Sequence, residues 1–202
     1  MPTTPTRHRW ALVLLGLAML GVAIAAFAVP PTLVASSPSS STSVGRPSEL
    51  DEADGVVPDG VTLSVFDEGR PAVGNLDPDL LDALHRAATD AAADGVLLRV
   101  NSGWRSPQYQ QQLLEEAVAE HGSLDEAARW VATPETSAHV SGEAVDVGPS
   151  GAAAWMFDHG AGYGLCQAYG NEPWHFELRP DAVDHGCPPP YADPTEDPRM
   201  QP

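Results

Sequence analysis

Two short stretches of this chain constrain its fold more than any other feature. The first is Ser137-Ala138-His139-Val140-Ser141-Gly142-Glu143-Ala144-Val145-Asp146, and the second is Glu172-Pro173-Trp174-His175. Together they supply two imidazoles, a carboxylate ligand in Asp146 and a further carboxylate, Glu172, beside the second imidazole. Three ligands with a nearby base are the inventory of a catalytic metal site that hydrolyses bonds with a metal-activated water. Spacing then dictates the backbone. His139 and Asp146 are seven residues apart. On one helix that separation rises about 10 Å, too far for a shared ion. On one unbroken strand the odd spacing puts them on opposite faces. The chain must therefore turn between them, and Gly142 is placed to supply the turn, with Asp146 on the strand that follows. Pro173 pushes Glu172 toward an extended conformation, which excludes the helical motif of two histidines around a glutamate. His175 is expected on the final strand, with Trp174 and Phe176 facing the other way.

The rest of the pattern fits an α+β domain: a small, mostly antiparallel sheet with helices packed on it. Asp77-Pro78 starts a helix whose apolar face is Leu80, Leu81, Leu84, Ala87, Ala88 and Ala91, and Gly95 ends it. Val96 to Val100 reads as a buried strand. Ser106-Pro107 starts a second helix, running to about Glu120. Ser123 with Glu126 forms a capping box for a short third. Ala144 to Val147, Gly162 to Ala168 and Trp174 to Leu178 read as strands, and Ser150 to His159 as a helix. Helices come first and strands concentrate later, without a repeated strand-helix unit, which argues against a doubly wound sheet.

The N-terminus bears on the compartment. Residues 1–9 carry Arg7, His8 and Arg9, and residues 10–29 are uncharged and apolar. Such a segment is a transmembrane anchor with a cytoplasmic N-terminus, or else a cleaved signal peptide ending near Ala26-Phe27-Ala28. Both readings export the remainder, either as a membrane-anchored domain outside the cell membrane or as a secreted one. Residues 30–59 are rich in Ser, Pro and acid and read as a disordered linker. The domain is expected over 60–187, followed by a disordered tail over 188–202. Cys166 and Cys187 can pair in an oxidising compartment, closing a loop worth on the order of 3 kcal/mol. Two free thiols are the other reading. The net charge of −18 over 202 residues, with no basic stripe, excludes nucleic acid as a partner.

The stretches Ser102-Gly103-Trp104-Arg105-Ser106, Ser137 to Asp146 and Glu172 to His175, taken in that order, resemble the VanY-type D-alanyl-D-alanine carboxypeptidases of the M15 group. These are zinc peptidases that share a hedgehog-like α+β fold. The resemblance covers about residues 75–180. It implies that His139, Asp146 and His175 bind Zn2+ and that Glu172 is the general base and later the acid. It implies that Arg105 stabilises the oxyanion and that Ser137 and Gln110 lie near the peptide-binding groove. Peptidoglycan stem peptides are the implied substrate, cut at D-Ala-D-Ala. Other members of the group cut cell-wall peptides as L,D-carboxypeptidases, dipeptidases or endopeptidases, and a non-enzymatic wall-binding module is a further alternative. The chain departs from the pattern at Trp104, where the family usually has tyrosine, and at Val140 and Ser141.

Overall fold

The computed structural model describes residues 50–200. The expected anchor or signal segment of residues 10–29 lies outside the described residues, as do residues 1–9 and 30–49. No described helix is long and apolar enough to cross a membrane.

Five strands form one antiparallel sheet: β1 (Leu63–Ser64), β2 (Arg99–Ser102), β3 (Ala144–Gly148), β4 (Leu165–Gln167) and β5 (His175–Leu178). Their order across the sheet is β1-β2-β3-β5-β4. The helices are α1 (Pro71–Gly74), α2 (Pro78–Ala93), α3 (Pro107–His121), α4 (Leu124–Ala127), α5 (Ala138–Ser141), α6 (Ser150–His159) and α7 (Ala182–His185). The architecture is α+β, as the sequence pattern predicts.

Helix starts follow the capping chemistry. Asp77 Oδ1 accepts from the backbone N–H of Asp79 at 2.9 Å and of Leu80 at 3.2 Å, with Pro78 at the first helical position. These bonds satisfy donors that the first turn would otherwise leave open. Ser106 Oγ does the same for Tyr109 at the start of α3. Along α2, Leu80, Ala83, Leu84, Ala87, Ala88 and Ala91 are buried, one face at helical period.

The sheet separates core from chemistry by its period of two. Val145 on β3 pairs with Phe176 on β5, and both are fully buried in a cluster with Leu80, Leu84, Val100, Met156 and Leu165. Each such large side chain contributes roughly 1.5–3 kcal/mol by leaving water. One residue further along, Asp146 pairs with His175, so these two point to the opposite face. A one-residue slip of β5 would put His175 in the core and Phe176 in the site.

Both expected disordered flanks differ from the structure where it describes them. Residues 51–55 form a capped 3-10 turn, Arg70 pairs with Glu52 at 2.9 Å, and Ser106 Oγ donates to Asp54 Oδ1 at 2.8 Å. Beyond Cys187, Tyr191 pairs with Tyr169 and two further 3-10 turns follow, with Asp193 and Asp197 buried. Composition marks both stretches as polar, but their acidic side chains are satisfied by specific partners in the fold. The Cys166–Cys187 disulfide is formed and joins β4 to the start of the C-terminal segment.

Candidate metal centre and active site

His139 lies on the short helix α5, which ends at Gly142 in the left-handed conformation, φ +81°. A Cβ there would meet the Asn75 carbonyl oxygen at 2.7 Å, so glycine is required for both conformation and space. This is the turn that the spacing demands. It returns the chain into β3 and brings Asp146 beside His139. The third ligand arrives from a tight turn, Glu172-Pro173-Trp174-His175, closed by the His175 N–H donating to the Glu172 carbonyl at 3.0 Å. Proline suits the second position of such a turn. Trp174 therefore sits in the turn rather than on the strand, and is 40% exposed at the cavity wall.

The three ligand atoms form a nearly equilateral triangle. His139 Nε2 and His175 Nδ1 are 3.2 Å apart. Asp146 Oδ1 lies 3.4 Å from the first and 3.3 Å from the second. A tetrahedral zinc with ligand distances of about 2.0–2.1 Å requires edges of about 3.3–3.4 Å. Asp146 Oδ1 is buried and has no hydrogen-bond partner of acceptable geometry, as a metal ligand atom would. The residues fit a zinc ion.

Each ligand is oriented from behind, as metal-binding side chains require. His139 Nδ1 donates to the Gly103 carbonyl at 2.8 Å, which fixes the tautomer with Nε2 free toward the site. His175 Nε2 donates to Glu177 Oε1 at 3.2 Å. Asp146 Oδ2 accepts from Arg105 Nη2 at 3.0 Å. Burial, followed by the Arg105 charge, holds the His139 imidazole below its usual value. Burial also opposes charge on His175, but the close carboxylates of Asp146 and Glu177 outweigh it and push that imidazole up to about 9. A metal must then displace a proton from His175.

Glu172 is buried beside the triangle, with Oε2 3.7 Å from His175 Nδ1 and Oε1 without a partner. Burial pushes its carboxyl up to about 7, opposed by the charge on His175 and aided by Asp146. That value suits a group that must take and return a proton near neutrality. Arg105 is held by three bonds, Nε to Ser102 Oγ at 2.9 Å, Nη1 to Gln110 Oε1 at 3.1 Å and Nη2 to Asp146. Gln110 is fully buried, and its amide nitrogen donates to the Ala132 carbonyl. Its contact is thus with Arg105. Ser137 is buried at the wall of the same cavity, whose volume is about 590 Å3.

Sequence reasoning missed Glu177, which holds His175, and the arginines that hold Glu177. Alternation along β5 was the available signal: residue 177 must share a face with residue 175. Of the other histidines, His85 is held by the Val65 carbonyl and His159 by the Trp155 carbonyl, while His121 lines the wall of the cavity.

A buried triangle of two imidazoles and a carboxylate, beside a buried carboxylate with one oxygen free of hydrogen bonds and a fixed guanidinium, defines a metallohydrolase centre. Comparison with known proteins narrows the class. The family model of VanY, D-alanyl-D-alanine carboxypeptidase, matches residues 74–181, more than half of the chain, and the chain belongs to this family of zinc peptidases. A D-alanyl-D-alanine carboxypeptidase of Enterococcus faecalis is 33% identical over 123 residues, covering 48% of this chain and 43% of that protein. The chain thus spans less than half the length of that relative. Among solved structures, VanYB in complex with D-alanine-D-alanine is 26% identical with a TM-score of 0.52, covering 64% of this chain and 83% of that one. A vancomycin-resistance D,D-pentapeptidase VanY variant in complex with Zn(II) is 27% identical with a TM-score of 0.49, covering 58% of this chain and 78% of that one.

Proposed function

We propose that this chain is an extracytoplasmic zinc-dependent D,D-carboxypeptidase that removes the terminal D-alanine from peptidoglycan stem peptides. The observation that carries the reading is the ligand triangle with the buried Glu172 carboxylate beside it, its Oε1 without a hydrogen bond, in one cavity. His139, Asp146 and His175 hold the metal, which when bound supplies Lewis acidity to the attacking water and the scissile carbonyl. Glu172 takes the proton from that water and returns it to the leaving amine. Arg105 keeps two of its five N–H donors clear of the bonds described above, and these serve the oxyanion that forms on the carbonyl. Gln110 contributes by holding Arg105 in place, and Ser137 offers its hydroxyl to the bound peptide.

The basic-flanked apolar segment of residues 10–29 and the Cys166–Cys187 disulfide support export. The first also supports membrane attachment. Activity is tested on the purified chain with a pentapeptide and a tetrapeptide stem, read by mass spectrometry. Loss of one D-alanine from the pentapeptide is expected. A chelator abolishes it and added zinc restores it. Cleavage confined to the tetrapeptide would refute the D,D assignment.

A further inference from the structure

The segment after Cys187 lies outside the family match, which ends at residue 181, yet it reaches back to the metal centre. Tyr191 donates its N–H to the Ala168 carbonyl at 3.0 Å, and the Gly170 and Asn171 N–H groups donate to the Tyr191 and Ala192 carbonyls at 2.7 and 3.2 Å. The segment is thereby laid along the loop that delivers Glu172. Pro194 and Met200 then line the active-site cavity.

Between them, Arg199 meets the carboxylate behind His175. Arg199 Nη1 donates to Glu177 Oε2 at 2.7 Å and Nη2 to Glu177 Oε1 at 3.2 Å. Glu177 is 1% exposed. Arg199 is itself gripped by Asp197, fully buried, through Nε at 3.1 and 3.0 Å. Tyr169 closes the circuit. Its hydroxyl donates to Asp197 Oδ2 at 3.2 Å, and its ring lies 5.0 Å from the His175 ring. The contacts run His175, Glu177, Arg199, Asp197, Tyr169 and back to His175.

We infer that Arg199 is a positioning residue for the metal ligand His175, acting through Glu177 to fix the imidazole and thereby to set zinc affinity. The inference rests on the reading of His139, Asp146 and His175 as the zinc site. Without Arg199 the carboxylate keeps one separate contact on each oxygen, His175 on Oε1 and Arg179 on Oε2, whereas the guanidinium fork of Arg199 bonds both oxygens at once and fixes their plane. Arg179, paired to Glu177 Oε2 at 2.7 Å, bonds one oxygen only and keeps Glu177 compensated when Arg199 is altered. Substitutions at 199 therefore leave the buried carboxylate with a cationic partner.

The bland alternative is that Arg199 merely ties the C-terminal segment down. Arg129 discriminates, because it pairs with Asp193 at 3.0 Å and ties the same segment without touching Glu177. The test measures zinc affinity of the full chain by competition with a chelator, for wild type, Arg199→Ala, Arg199→Lys and Arg129→Ala. Loss of an outer partner of a metal ligand costs about 10–100-fold in affinity. That loss is expected for Arg199→Ala. Arg199→Lys, which keeps charge but not the fork, falls between it and wild type, and Arg129→Ala stays at the wild-type value. Cobalt-loaded protein adds a second readout, with visible absorption bands displaced in the two 199 variants alone. Equal affinity of Arg199→Lys and wild type overturns the inference, even if Arg199→Ala does not fold. Equal weakening by Arg129→Ala and Arg199→Ala overturns it too, since holding the segment is then the whole effect. A wild-type chain that binds no zinc is a separate failure, of the metal centre itself.

Discussion

The two imidazoles of this site are held in opposite ways. His139 donates to a backbone carbonyl, that of Gly103, within a stretch of chain close to its own helix. His175 donates to a carboxylate that two arginines also bind, one of them from the C-terminal segment. A neutral acceptor fixes a tautomer and an angle but adds little charge. A buried carboxylate does both and raises the basicity of the ring. Burial and the Arg105 charge hold the His139 imidazole below its usual value, whereas at His175 the Asp146 carboxylate first, and Glu177 with it, outweigh burial and push the imidazole up to about 9. One ligand is thus ready for metal as a neutral base. The other exchanges a proton for it.

Glu172 belongs to the His175 side, reached through the same turn, and altering it has the largest expected effect. Glu172→Gln keeps the size of the side chain and removes the proton acceptor. Loss of a general acid-base group lowers the rate about 10²–10⁴-fold, with zinc content unchanged by metal analysis. A variant that lost rate and metal together would make Glu172 a ligand and dissolve the distinction between triangle and base.

The next effect compares the two holders directly. Glu177→Gln replaces the charged acceptor behind His175 with a neutral one, and zinc affinity is expected to fall about 10–100-fold. On the other side the acceptor is a backbone group, so it is moved rather than deleted. A Cβ at Gly103 would lie 2.0 Å from the Ala72 carbonyl oxygen, and something must shift. Gly103→Ala is therefore expected to lower the melting temperature as well as the zinc affinity, whereas Glu177→Gln has its larger effect on affinity. If the two variants had the same profile, the charged and neutral arrangements would be equivalent.

That contrast also marks how much was legible in the sequence. On the His139 side the ligand, the turn and Asp146 are legible because their requirements are local, while the holder of the ring, the Gly103 carbonyl, lies 36 residues away and is not. Seven-residue spacing forces a turn, Gly142 supplies it, and strand alternation then places Asp146. The same alternation put Phe176 into the core. Helix starts at Asp77-Pro78 and Ser106-Pro107 were legible because a cap and a proline act within one turn. The His175 side was read only up to its ligand and base. Its support comes from Asp197 and Arg199, in a polar, proline-rich stretch whose composition resembles a solvated tail. Their partners are remote in sequence, Glu177 and Tyr169, and pairwise burial of charge has no local periodicity. The stretch around Asp54 escaped for the same reason, since its anchor is Ser106. Gln110 shows a subtler gap. Its place by the cavity was read, but only the fold shows its carbonyl oxygen turned to Arg105.

The smallest predicted effect is a pH dependence that separates the two jobs on the His175 side. Glu172 must be ionised to accept a proton, and burial raises its carboxyl to about 7. A raised carboxyl is ionised above that value and becomes protonated as pH falls through it. A metal dication beside it favours the ionised form and moves the midpoint downward. With zinc saturating, kcat/KM is therefore expected to fall about tenfold per pH unit on the acid side, with a midpoint at or below about 7. Zinc affinity has a different origin for its pH dependence. His175 carries a proton below about 9, so affinity weakens steadily as pH falls from there. Glu172→Gln should erase the acid limb of the rate and leave the slope of zinc affinity against pH in place. Measuring both slopes in wild type and in that variant decides the matter. A limb that survived in Glu172→Gln would belong to the ligand and not to the base.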